Sequence, residues 1–124
     1  MKDIVGRIVR SRNRTSFEKY VDLVYEVVDI YNIRVELWPY YDEKKLNEYE
    51  KIVVNELSEL FPLPNGFFWS YVGISVPDEV YVSIDEFFEK FEVLSDDEVI
   101  ELLKKDILPP SSDAYWRIKR NRLS

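Results

Sequence analysis

The residues best suited to chemistry in this chain are carboxylates, because its 124 residues include neither cysteine nor histidine. That absence removes thiolate nucleophiles, cysteine-ligated zinc and the usual general base near neutral pH. Asp and Glu side chains can instead hold magnesium, as they do in many phosphoryl-transfer sites. The candidates are Glu36 in a predicted strand, Asp42 and Glu43 at a predicted helix start, Asp78 and Glu79 in a turn, and Asp96, Asp97 and Glu98.

The densest of these groups, Asp96-Asp97-Glu98, is more simply accounted for by helix capping. It follows Ser95 in a capping-box pattern, and acidic residues in a first helical turn complement the helix dipole by ~0.3–1 kcal/mol each. The three glycines are too scattered for a phosphate-cradling loop. We therefore expect a non-catalytic protein without a cofactor or a metal. A magnesium-dependent, nuclease-like enzyme is the least favoured alternative.

Arginine is concentrated at the two ends of the chain. Residues 1–14 hold five Lys/Arg against one Asp, and residues 117–124 hold four against no acid, whereas 15–116 holds eight against 23 acids. The net charge of −7 thus divides into an acidic body and two basic ends. The planar guanidinium suits phosphate, so one hypothesis is nucleic-acid binding through the ends. Its candidate residues are Arg7, Arg10, Arg12, Arg14, Arg117, Arg120 and Arg122.

Two more hypotheses account for the same charge pattern. The basic ends can lie on the acidic body and offset its self-repulsion. Alternatively, the body is itself the binding surface, because ordered carboxylates can imitate the phosphates of nucleic acid and occupy a basic site on another protein. For this last hypothesis we expect four carboxylates along the outer face of the first predicted helix: Glu18, Asp22, Glu26 and Asp29.

Aromatic residues make up 15% of the chain and add to the candidate protein-binding surface. In the stretch FFWSYVGISV, strand alternation places Trp69 and Tyr71 on one face, beside Trp38 of a neighbouring strand. Exposed rings suit a protein interface or the stacking of nucleobases. If the sheet is buried on both faces, the same rings belong to its core.

Helix starts are the clearest structural signals in the sequence. The capping box at 15–18 and the apolar spacing from Phe17 to Tyr31 predict a helix over 16–31. Asp42 predicts a helix over 43–60, and Ser83 and Ser95 predict a short helix and a helix ending near 106.

Strand alternation predicts the remaining elements. Residues 2–10 and 33–38 are expected to be strands, the second ending at Pro39. Residues 67–76 and 79–83 are expected to pair through the Pro77-Asp78 turn as a hairpin at 67–83.

These elements predict an α/β (mixed α+β) fold of order β-α-β-α-β-β-α-α, with a mixed sheet and helices packed on it. We expect one domain over 1–124, with the ends 1–14 and 117–124 as candidates for flexibility. No apolar run or leader pattern predicts membrane insertion or secretion, so we expect a soluble, cytoplasmic protein, and the lack of Cys and Gln suits a thermophilic source. The expected partner is another protein, or a second copy in a homodimer, with nucleic acid as the alternative and no membrane.

Overall fold

The computed structural model describes residues 4–66, 74–109 and 116, and it confirms a mixed α+β fold in an order close to the predicted one. The elements are, in chain order, β1 (Ile8–Ser11), α1 (Ser16–Tyr20), β2 (Val24–Tyr31), β3 (Arg34–Tyr40), α2 (Glu43–Leu60), β4 (Val80–Ser83), α3 (Ile84–Lys90), β5 (Phe91–Val93) and α4 (Asp96–Lys104).

The strands form one five-stranded sheet in the order β4-β3-β2-β1-β5. Every described pairing is antiparallel, where a mixed sheet was expected. The strand β4 pairs with β3, with Val80 opposite Leu37 and Ser83 opposite Arg34. The first seven residues of the predicted hairpin, 67–73, lie outside the described residues, and 74–79 form no strand.

The first helix is much shorter than the prediction of 16–31, which is wrong beyond Tyr20. Thr15 caps it as expected, accepting a hydrogen bond from the Glu18 amide, but Asp22 adopts a φ of 54° and the chain turns into β2. A register shift between Val27 and Asp29 then interrupts the alternation of β2. This irregularity brings the apolar residues of the strand into a spacing that imitates a helix.

The other predicted helix starts are confirmed. Asp42, Ser83 and Ser95 each cap a helix, their side-chain oxygens accepting hydrogen bonds from backbone amides in the first turn. The predicted strand at 33–38 is β3, which extends through Pro39 to Tyr40. The short strand β5 has no counterpart in the sequence prediction.

One face of the sheet, the α3 face, packs against α3. Val9, Val27, Val35 and Leu37 meet Phe87 there, and each of these side chains is buried. The helix directly follows β4 and directly precedes β5, so it joins the two edge strands of the sheet.

The opposite face, the α4 face, is apolar in only one half. Ile8 and Val24 pack there against the segment that contains α4, with Tyr40 at the margin. The buried residues of this segment are Leu94, Val99, Leu102, Ile107 and Leu108. Neither core cluster of the described residues extends to the other half of this face, which lies over β2, β3 and β4.

The long helix α2 packs at its beginning on α1, where the rings of Phe17 and Tyr49 lie 5.1 Å apart. Its end is exposed at Leu60 and Phe61. In the part of the chain that the structure describes, the helices are too short or too polar to cross a bilayer.

Candidate functional site

The apolar half of the α4 face gives way to a polar half along the strands. Directly opposite residues project from the same face of a sheet, and here they form successive rows. The rows are Ile8–Glu26–Trp38, Asp29–Glu36–Tyr81 and Tyr31–Arg34–Ser83. Six acidic or aromatic residues of these rows make up what we call the acidic-aromatic surface: Glu26, Asp29, Tyr31, Glu36, Trp38 and Tyr81.

The carboxylates of this surface lie deeper than its rings. Glu26 and Glu36 are 7% and 8% exposed, whereas Tyr31, Trp38 and Tyr81 are 52%, 43% and 48% exposed. Burying a carboxylate is costly unless it is hydrogen-bonded or paired. The Glu36 Oε1 atom lies 3.1 Å from the Tyr81 hydroxyl, which can donate to it. The buried carboxylates thus form the base of the acidic-aromatic surface, and the exposed rings lie around them.

Negative charge is concentrated on this surface. Asp29 and Glu36 are directly opposite on neighbouring strands, an arrangement that destabilises a sheet. The Tyr81 hydroxyl lies also 3.2 Å from the Glu79 carboxylate, just outside the surface. Desolvation, the hydrogen bond to Glu36 and the charges of Glu36 and Glu79 raise the pKa of Tyr81 to about 12.

Tyr31 is a second tyrosine whose pKa is raised by the carboxylates of this surface. The main cause is its hydrogen bond to Asp29, followed by the charges of Asp29 and Glu36. Arg34 is the single cationic residue in the three rows. Both tyrosines therefore stay neutral at ordinary pH and act as hydrogen-bond donors beside carboxylates.

This arrangement can receive an organic cation. Carboxylates accept charge-assisted hydrogen bonds from guanidinium or ammonium groups, and aromatic faces attract the same groups. A metal centre is not indicated in the same way. Among residues 4–66, 74–109 and 116, there is no group of three or more acidic side chains placed to hold an ion.

The predicted protein-binding set is only partly brought together. Glu26, Asp29 and Trp38 lie on the acidic-aromatic surface, but the expected common helix face for the four carboxylates is wrong. Glu18 belongs to the capping box of α1, and Asp22 lies between the Nζ atoms of Lys45 and Lys105 at 3.5 and 3.9 Å. Trp69 and Tyr71 are outside the described residues.

Sequence reasoning missed Tyr31 and Tyr81 as site residues, and it did not place Glu36 in a protein-binding surface. The alternation of Arg34, Glu36 and Trp38 against Val35 and Leu37 was a usable signal for a polar sheet face. The two tyrosines come from β2 and β4, so the strand register was needed to place them beside Glu36.

The acidic group at 96–98 serves the start of α4, as predicted. The Ser95 hydroxyl accepts from the Glu98 amide, and Glu98 Oε1 accepts from the Ser95 amide at 3.2 Å. Glu98 Oε2 also lies 3.1 Å from an Arg10 nitrogen. The hydrogen bond from the Ser95 amide, the Ser95 hydroxyl and the charges of Arg10 and Arg14 lower the pKa of Glu98, against an opposing effect of burial.

The predicted nucleic-acid set is also divided. Arg10 pairs with Glu92 at 2.7 Å and with Glu98 at 3.1 Å, as expected if the first basic end lies on the acidic body. Arg12 and Arg14 line a pocket of about 370 Å³ together with Arg10, and Arg7 is half-buried before β1. Arg117, Arg120 and Arg122 lie outside the described residues.

A larger pocket, of about 780 Å³, lies beside the start of α2. Its lining sets four acidic residues against two lysines: Asp42, Glu43, Asp78 and Asp106 against Lys44 and Lys105. The Asp42 carboxylate caps α2 there, because its Oδ1 atom accepts hydrogen bonds from the amides of Lys44 and Lys45. The mixed charges favour no single class of ligand.

Comparison with protein-family models, curated proteins and solved structures finds no match to this chain. Its function must be argued from the chemistry of its surfaces.

Proposed function

We propose that this chain is a non-catalytic binding protein whose acidic-aromatic surface takes a basic segment of another protein. It would act as an inhibitory or regulatory module by occupying that segment. The observation that carries the proposal is the placement of two buried carboxylates, Glu26 and Glu36, among three exposed rings on one sheet face.

The energetics of the free surface support this role. The opposed pair of Asp29 and Glu36 costs stability, and the burial of Glu36 adds to that cost. A guanidinium placed between the carboxylates relieves both, and contact with Trp38 contributes a further ~0.5–2 kcal/mol as a cation–π interaction. Features that destabilise a free protein and favour a complex are typical of binding sites.

The charge of the surface also restricts the partner. Two copies pairing through this surface would bring their carboxylates together, so a homodimer is disfavoured here. Nucleic acid is disfavoured for the same reason, since phosphates would face Asp29 and Glu36. The favoured partner is a different protein that presents arginine or lysine.

A peptide titration tests the proposal. The full chain is titrated at low ionic strength with a short arginine-rich peptide and with the same peptide carrying glutamine at every arginine, using tryptophan fluorescence and calorimetry. We expect binding of the arginine peptide alone, weakening with salt. Trp38→Ala and Asp29→Asn should each weaken it about tenfold or more, the size expected for central interface residues.

Phe88→Ala is the matched control for Trp38→Ala. Phe88 is a similarly exposed aromatic residue, but it lies on α3 at the opposite face of the sheet. Its removal should leave peptide affinity unchanged. Equal binding by the Trp38→Ala and Phe88→Ala variants, or equal binding of the two peptides, would refute the proposal.

A further inference from the structure

The pocket beside the first basic end has the opposite charge to the acidic-aromatic surface. It lies between the end of β1, the following loop and α1, near the β5 edge of the sheet. Four of its seven lining residues are cationic. The lining consists of Arg10, Ser11, Arg12, Asn13, Arg14, Lys19 and Glu92.

The positive charge of this pocket is only partly neutralised. Glu92 is the one carboxylate of the lining, and it is held by the Arg10 guanidinium at 2.7 Å. Arg12, Arg14 and Lys19 form no salt bridge with any part of the chain that the structure describes, although the Glu98 carboxylate is near enough to Arg14 for its charge to act on it. In a chain of net charge −7, three such cations around one pocket mark a local field of the opposite sign.

The backbone that carries these cations is fixed at both ends. Ser11 is paired with Phe91 in the sheet, and the Arg12 amide donates to the Lys90 carbonyl at 2.8 Å. The capping box of Thr15 and Glu18 then begins α1. The Thr15 amide donates to Glu18 Oε1 at 3.2 Å, and the Glu18 amide donates to Thr15 Oγ1 at 3.1 Å. Only Asn13 and Arg14 lie between these anchors, so little backbone entropy is lost when a ligand binds.

We propose that this pocket binds a phosphomonoester group. Two guanidinium forks and one ammonium match the oxygens of a phosphate dianion, and Ser11 and Asn13 add neutral polar groups. An extended nucleic-acid backbone fits less well, because Glu98 and Glu101 lie in the adjoining groove that Arg10 and Arg14 share. This site is independent of the acidic-aromatic surface, so either proposal can fail without the other.

The first test is a titration of the full chain with inorganic phosphate at low ionic strength, followed by backbone amide NMR. We expect saturable shifts at Ser11, Arg12, Asn13, Arg14 and Lys19. The double variant R12Q/R14Q should bind about tenfold or more weakly, since each charge-assisted hydrogen bond is worth about as much as a tenfold change in affinity. Shifts without saturation, or unchanged affinity in the double variant, would overturn the proposal.

Arg34→Gln is the matched control, because Arg34 is also an exposed arginine but lies on β3, away from this pocket. It should leave phosphate affinity unchanged, and an equal loss in this variant would show that only the net charge matters.

Two further ligand pairs identify the source of the phosphate and test the monoester. Adenosine monophosphate against adenosine represents a nucleotide, and phosphoserine against serine represents a modified protein. At least one phosphorylated member should shift the same amides while its unphosphorylated partner does not. A short single-stranded DNA with 5′-hydroxyl ends that binds as tightly as phosphate would show that diesters suffice and would overturn the monoester assignment.

Discussion

The two halves of the α4 face meet on strand β2 and yet follow opposite physical rules. In the apolar half, Ile8 and Val24 are buried under the segment that contains α4. In the polar half, β2, β3 and β4 carry Glu26, Glu36 and three exposed rings, and Glu26 lies directly opposite Ile8. The first half stabilises the fold, whereas the second places like charges side by side at a cost to it. The change from one half to the other marks the boundary between the core and the surface that we propose for binding.

The largest effect should come from truncating the apolar half. Leu94→Ala removes a side chain that is 2% exposed and packs with Ile8 and Val24, and it should lower the free energy of unfolding by about 2–5 kcal/mol. Urea unfolding followed by circular dichroism measures it. Leu60→Ala, at the exposed end of α2, is the control and should change stability by less than ~0.5 kcal/mol. Similar losses of unfolding free energy in both variants would mean that burial in the apolar half does not stabilise the fold.

The polar half should respond with the opposite sign. Glu36→Gln keeps a group that can accept the Tyr81 hydrogen bond but removes the charge opposite Asp29, so stability should rise by roughly 0.2–1 kcal/mol. The same variant should bind an arginine-rich peptide more weakly. A clear loss of stability would show that Glu36 supports the fold, and the contrast between the two halves would then disappear.

The smallest effect concerns the Tyr81 phenol. Its pKa in the folded protein is about 12, above the ordinary value of 10.0. The folded chain therefore holds this proton more tightly than the unfolded chain, so the contribution to stability is present below pH 10 and is lost as the pH rises through about 12. Titration of tyrosinate absorbance, taken as the difference between the chain and its Tyr81→Phe variant, measures that pKa.

Glu36→Gln should bring the pKa of Tyr81 closer to its ordinary value, since two of the causes that raise it involve Glu36. A pKa that stays at about 12 in this variant would assign the shift to desolvation and to Glu79 instead of Glu36. The titration thus measures how strongly the two residues of one row are coupled.

The parts of this fold that could be predicted were those with local chemical signals. Thr15, Asp42, Ser83 and Ser95 each indicated a helix start, because a cap and its amide partners lie within a few residues of one another. The extent of the first helix could not be predicted, because the turn at Asp22 and the irregularity of β2 are decided by pairing with β1 and β3.

The candidate surface shows the same limit. Strand alternation alone identifies Trp38, whereas Glu26 and Asp29 are selected for their charge and for a helical spacing on what is in fact strand β2. Their arrangement beside Tyr81 depends on a register between β3 and β4, whose strands are separated by more than 35 residues of sequence. Local sequence patterns can thus identify several residues of the site, whereas the contacts among these residues depend on the pairing of strands that are distant in sequence.

The connection through α3 has a mechanical consequence for the whole sheet. Both edge strands are short, four and three residues, and each is joined without a spacer to the same seven-residue helix. Fraying of either edge therefore pulls on Phe87, which is anchored among residues of the three inner strands. The two edges should open together in one cooperative step, and such short edges offer little length for a foreign strand to add by aggregation.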